Sequence, residues 1–212
     1  MRIDHIQTKM SKTIHNQKVR SFLKALKPWL LTLVVVLILR YTGAISGISF
    51  LAQSALLKSG FMDYKPASDE AVAASFDYNF TVKDLKGNIL DVNQLKGKVI
   101  FINLWATWCG PCRMEMPSIQ NLYSTVDPDK VAFIMLALDT EENQHKIPKY
   151  INDKQYTFPV YVPNKSLPKQ LNVSTIPTTF IIGKDGKIKS KKIGVTNYDT
   201  DKFKSFLNEL TQ

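Results

Sequence analysis

Val99-Ile-Phe-Ile-Asn-Leu-Trp-Ala-Thr-Trp-Cys-Gly-Pro-Cys-Arg-Met-Glu-Met-Pro117 decides the reading of this 212-residue chain. Its first third, Val99 to Trp105, is an almost unbroken apolar run, the pattern of a strand buried on both faces. From Cys112 the apolar residues fall at helical spacing, at Met116, Ile119, Leu122 and Tyr123, with Pro117 as an interruption. The two cysteines therefore stand where a strand gives way to a helix. A thiolate at a helix N-terminus is stabilised by free N–H groups and the positive end of the dipole, which lowers its pKa from about 8.5. Cys109 is the expected attacking thiol. Cys112, one turn further in, is placed to close the intramolecular disulfide and resolve a mixed one. Pro111 suits the first turn, where its missing N–H would be unbonded anyway.

These are the only cysteines, so no disulfide framework exists beyond the pair. Two cysteines alone do not make a zinc site: His5 and His15 lie near the N-terminus and His145 stands by itself. Arg113 follows Cys112 where covalent haem attachment would need histidine. No metal ligand set is expected, and no cofactor besides the Cys109–Cys112 couple.

Working outward, Val131 to Leu138 is a second buried-type strand, and Glu141 to Asp153 reads as a helix weakened by Pro148. Phe158 to Val162 reads as a short strand. Thr179 to Ile182 and Lys187 to Val195, joined by Gly183-Lys-Asp-Gly186, form a hairpin. Asp199 to Leu210 is an amphipathic helix with Asp199 as candidate cap. Upstream, Lys86-Gly87-Asn88 between Phe80–Val82 and Ile89–Leu90 suggests another hairpin. The lysines at 187, 189, 191 and 192 read as guards of an exposed strand edge. Asp139, Glu141 and Glu142 read as ordinary carboxylates at a strand end and a helix start.

The net charge of +10 is not spread evenly. Residues 1–40 carry eight Lys/Arg against Asp4 alone, so the folded part is nearly balanced and a nucleic-acid-binding face is not expected. Trp29 to Leu39 is the most apolar run and too short alone to cross a bilayer. Extension back to Phe22 or on to Phe50 gives a transmembrane helix, with the lysine-rich side in the cytoplasm. A cleaved signal peptide is the competing reading. The expected division is a basic cytoplasmic tail (1–21), a membrane anchor (22–50), a linker (51–75) and a redox domain (76–212) in an extracytoplasmic compartment.

The segment Trp105-Ala-Thr-Trp-Cys-Gly-Pro-Cys-Arg-Met-Glu-Met-Pro117 resembles the active-site segment of the thioredoxin superfamily, in particular its membrane-anchored TlpA/ResA-like branch. Thr175-Ile176-Pro177-Thr178 resembles that superfamily's cis-proline loop. The resemblance implies a thioredoxin-like three-layer α/β/α fold with an extra N-terminal hairpin, and a cis Ile176–Pro177 peptide. It further implies that Pro177 faces Cys109, that the Ile176 backbone pairs with substrate, and that Trp108 walls the disulfide. Thr178 stands where cytochrome-maturation reductases often carry an acid. Asn103 replaces the buried Asp of cytosolic thioredoxins, and Glu115 matches the acidic residue of the ResA-like pattern, a candidate proton acceptor for Cys112.

The activity expected is thiol:disulfide exchange, in the direction of reducing disulfides of exported proteins, with electrons from a transmembrane donor. An oxidase or isomerase is the alternative. A peroxiredoxin-like peroxidase would need Thr three residues before its reactive cysteine, where this chain has Ala106. No His or Met cluster near the motif supports copper delivery.

Overall fold

All seven residues of Val99–Trp105 are buried, so this strand can only be the middle of a sheet covered on both sides. A computed structural model describes residues 29, 32–34 and 74–212. The chain divides into two compact units, 1–55 and 56–212, and the account below concerns the second. Its strands are β1 (Thr81–Asp84), β2 (Ile89–Asp91), β3 (Val99–Trp105), β4 (Val131–Ala137), β5 (Val160–Pro163), β6 (Thr178–Ile182) and β7 (Ile188–Ile193). The helices are α1 (Gly110–Tyr123), α2 (Lys146–Asp153) and α3 (Asp201–Leu210). The sheet runs β2-β1-β5-β4-β3-β6-β7. β3 and β4 are parallel in register from Val99↔Val131 to Trp105↔Ala137, and β6 pairs antiparallel to β3.

Side chains alternate across β3. Val99, Phe101 and Trp105 join one core with Met116, Ile119 and Leu122 of α1, Ile147 and Ile151 of α2, and Phe203 and Leu207 of α3. Ile100, Ile102 and Leu104 join the other with Ile134, Leu136, Phe180, Ile182, Val82 and the aromatic approach Phe76, Tyr78 and Phe80. On this second face the helical cover is reduced to 3₁₀ turns at Val92–Leu95 and Lys169–Leu171. Each fully buried aliphatic or Phe side chain contributes about 1.5–3 kcal/mol. The thioredoxin-like α/β/α fold with extra strands is the one expected.

Local corrections have local causes. Pro117 does not interrupt α1, which continues through it. The helix expected over 141–153 splits into a 3₁₀ turn at Glu141–Asn143 and α2, where Pro148 sits in the first turn and displaces no intrahelical bond. Thr200, not Asp199, caps α3 through its Oγ1 and the Phe203 N–H, while the Asp199 carboxylate takes Asn121 Nδ2 and Lys204 Nζ. The upstream hairpin turns at Gly87 with φ +92°, a conformation glycine enters without a Cβ penalty.

The N-terminal transmembrane helix expected before this domain is corrected. Among the described residues no helix is long and apolar enough to cross a membrane. The physical reason is already in the run: the eleven residues Trp29–Leu39, ten of them apolar, closed by Lys24, Lys27 and Pro28 on one side and Arg40 on the other, fall short of the roughly 20 a bilayer needs. Trp29 and residues 32–34 are helical and exposed; the tail 1–21, the rest of 22–50 and the linker up to residue 73 lie outside the described residues. The membrane keyword, the single-pass topology, the extracytoplasmic placement and the transmembrane electron donor all rested on that helix and are withdrawn with it.

Candidate active site

β3 ends at Trp105, and four residues later Cys109 is the N-cap of α1. Its backbone is extended at φ −79° and ψ 103°, and its Sγ receives the Cys112 N–H at 3.2 Å. Cys109 thus occupies the place a Ser or Asp takes at an ordinary helix start, where side-chain acceptors satisfy orphan amides. Gly110 and Pro111 fill the first turn, both exposed, and no atom comes within 4 Å of a Cβ built on Gly110. The two cysteines are joined as a disulfide with a Cα separation of 5.3 Å. Cys109 is 5% exposed and Cys112 fully buried, so the outer sulfur is the one a second molecule can reach.

The loop between β3 and α1 is braced from β4. Asp139, two residues beyond that strand, is buried, and its carboxylate accepts the Thr107 N–H at 3.0 Å and the Thr107 hydroxyl. The Leu138 N–H donates to the Trp105 carbonyl at 2.8 Å, carrying the parallel ladder one step past the strands. Sequence reasoning dismissed Asp139 as an end-of-strand charge. The available signal was its position: parallel neighbours end side by side, so an acid after β4 meets whatever follows β3. Trp108, expected as a wall, projects into solvent at 68% exposure.

From the far side comes the Ile176–Pro177 bond, which is cis. The Ile176 carbonyl oxygen lies 3.9 Å from Cys109 Sγ. The Pro177 carbonyl accepts the Gly194 N–H at 2.9 Å, and the Thr178 hydroxyl donates to the Thr175 carbonyl at 2.6 Å, so Thr178 is spent on its own loop.

Glu115 lies one turn below Cys112 on the same helix and is fully buried. Asn103 Nδ2, from the centre of β3, donates to its Oε1 at 2.6 Å and to Thr179 Oγ1 at 2.9 Å; the Thr196 N–H donates to Oε2 at 3.2 Å. Burial pushes the Glu115 carboxyl up to about 8, against the opposing pull of the Asn103 and Thr196 hydrogen bonds. It holds a proton at neutral pH, close to where a thiol ordinarily titrates. The sequence singled out Asn103 and Glu115 separately; that they bond each other needed the fold.

Comparison with known proteins follows the geometry. The AhpC/TSA family model matches residues 76–191. The chain is 34% identical over 134 residues to thiol-disulfide oxidoreductase ResA of Bacillus cereus, a match spanning 63% of this chain and 75% of that protein. The crystal structure of StoA from Bacillus subtilis superposes with TM-score 0.50 at 30% identity, covering 67% of this chain and 99% of that one. The thioredoxin domain of a thiol-disulfide oxidoreductase from Bacteroides vulgatus shares the fold at 21% identity and TM-score 0.52, with 66% and 99% covered. A helix-capping disulfide in this fold, with relatives of that kind, makes the protein an enzyme of thiol-disulfide exchange whose redox group is the Cys109–Cys112 pair. The chain belongs to the ResA/TlpA-like thiol-disulfide oxidoreductase family of the thioredoxin superfamily.

Proposed function

We propose that the enzyme runs as a reductase of protein disulfides. The observation that carries this reading is the asymmetry of the pair: Cys109 caps a helix beside an accessible loop, while Cys112 is fully buried one turn above a buried carboxyl. A dithiol whose reduced form is poorly stabilised gives up its electrons readily, whereas strong oxidants owe their potential to a stabilised reduced form. Burial works against a Cys112 thiolate.

In this mechanism the Cys109 thiolate attacks one sulfur of the substrate disulfide, forming a mixed disulfide and expelling the other substrate sulfur as thiolate. Glu115, in its carboxylate form, takes the Cys112 proton. The Cys112 thiolate then attacks Cys109 Sγ, closing the Cys109–Cys112 bond and releasing the second substrate thiolate. Two electrons pass from the cysteine pair to the substrate, whose two sulfurs leave as thiols after protonation. Ile176 and Pro177 offer the backbone against which the substrate lies, and Trp108 and Thr178 border it. A peroxidase is disfavoured because Ala106, a buried methyl three residues ahead of Cys109, presents no hydroxyl to a peroxide.

Equilibration of the full chain against dithiothreitol and glutathione buffers tests the direction. A midpoint near the roughly −270 mV of reducing thioredoxins is expected; a midpoint close to about −120 mV would make it an oxidase.

A further inference from the structure

A cavity of about 410 Å³ opens beside the C-terminal ends of β4 and β5, lined by Leu138, Leu167, Leu171 and Val173 with Lys165 and Lys169. Leu138 directly follows β4, and the Leu138 N–H is bonded to the Trp105 carbonyl at the end of β3. The cavity therefore opens at the C-terminal end of the parallel strands, where the chain also enters the disulfide loop, the end at which open α/β sheets hold their ligands. Leu171 is buried in the second core, and Leu138, Leu167 and Val173 are half-buried against that core, so the floor is apolar and anchored. Lys165 and Lys169 are exposed at the rim, and among the described residues that line the cavity there is no carboxylate.

The same chain links cavity and disulfide. Val173 stands three residues before Ile176, whose carbonyl is 3.9 Å from Cys109 Sγ, a reach of at most about 10 Å. A polypeptide laid along this stretch with its sulfur at Cys109 would carry a side chain three to five residues away over the cavity. A second copy of this chain, at net charge +10, is a poor match for the rim.

Resting on the reductase reading, we propose that this cavity is a substrate-selecting subsite. It takes an apolar side chain flanked by acidic residues, three to five residues from the substrate's disulfide cysteine. Leu138, Leu167, Leu171 and Val173 receive the side chain, and Lys165 and Lys169 pair with the flanking carboxylates.

The test is single-turnover reduction by the pre-reduced full chain. One probe is a synthetic peptide whose single cysteine is capped as a mixed disulfide with 2-mercaptoethanol and which bears Asp-Leu-Asp four residues away. The reference is 2-hydroxyethyl disulfide. The readout is the ratio of the two rate constants. Reversal of both rim charges in K165E/K169E should lower that ratio about tenfold, and a Lys-Leu-Lys peptide should recover it. Leu167→Ala should lower it for both peptides. A ratio unmoved by either variant, with both probes still reduced, overturns the subsite and leaves the reductase reading intact. A wild-type chain that reduces neither probe removes the reductase reading and this subsite with it.

Discussion

The two faces of the central sheet are built from the same three strands and do different things. Toward α1, α2 and α3, β3 presents Val99, Phe101 and Trp105, and between them Asn103, which reaches Glu115 and through it the Thr196 amide. Toward the 3₁₀-covered face it presents only Ile100, Ile102 and Leu104, packed on Ile134, Leu136, Phe180 and Ile182. Along β3, one face has a buried polar network beside the disulfide and the other is apolar packing alone. Alternation along a strand lets a single polar residue serve one face without wetting the other, so stability and chemistry are separable in adjacent residues.

The comparison breaks hardest at the cysteines. Cys109→Ser and Cys112→Ser should each cut turnover of a disulfide substrate by at least about a thousandfold, but differently. Cys112→Ser should accumulate dithiothreitol-sensitive adducts through Cys109, while Cys109→Ser accumulates few, as mass spectrometry of the trapped species would report. Equal trapping by both would reverse the roles.

On the apolar face, Ile102→Ala should cost about 2–5 kcal/mol in denaturant unfolding, from lost transfer energy and the cavity left behind. The rate at which folded protein attacks a disulfide should stay the same. A parallel fall in that rate would show that the two faces are not independent.

Glu115→Gln sharpens the contrast through pH. Below about pH 4.5 both folded and unfolded states hold the Glu115 proton. From there up to about 8 only the folded state does, so its stability contribution falls as pH rises and is fully lost above about 8. The wild type should therefore lose on the order of 2–4 kcal/mol between pH 5 and 8 from this group, a slope that Glu115→Gln abolishes. Resolution of the mixed disulfide should slow in the same variant. Melting curves across pH with unchanged slope would mean that the carboxyl is not kept protonated by burial.

The smallest effect belongs to the brace. Asp139→Asn removes the charge and half the acceptor capacity facing Thr107 and should cost about 1–2 kcal/mol. Faster exchange of the Thr107 amide would locate the damage in the loop ahead of Cys109; exchange unchanged there would remove Asp139 from the site.

Much of the architecture was legible because it rests on short-range signals. Buried strands at Val99–Trp105, broken only by Asn103, and Val131–Ala137 are apolar runs, and the cysteine spacing at a strand–helix junction has few other uses. What escaped was of another kind. Asp199 and Thr200 are both good capping residues, and only the nearby Asn121 and Lys204 decide which is free to cap. Pro117 reads as a break, but packing of Met116, Ile119 and Leu122 against β3 holds the helix through it. The apolar run from Trp29 reads as part of a span, whereas among the described residues no helix is long and apolar enough to cross a membrane.

By itself the sequence determined the strand–helix junction, the pairing of Cys109 with Cys112 and the unequal access of the two sulfurs, because each depends on residues a few positions apart. Only the tertiary structure decided that Asp139 braces Thr107, that Asn103 holds Glu115, and that Val173 leads from an apolar cavity to the Ile176 carbonyl. The first two contacts join residues 32 and 12 positions apart. Their chemistry, above all a carboxyl pushed up to about 8, comes from burial. Burial belongs to the packed chain and to no residue within it.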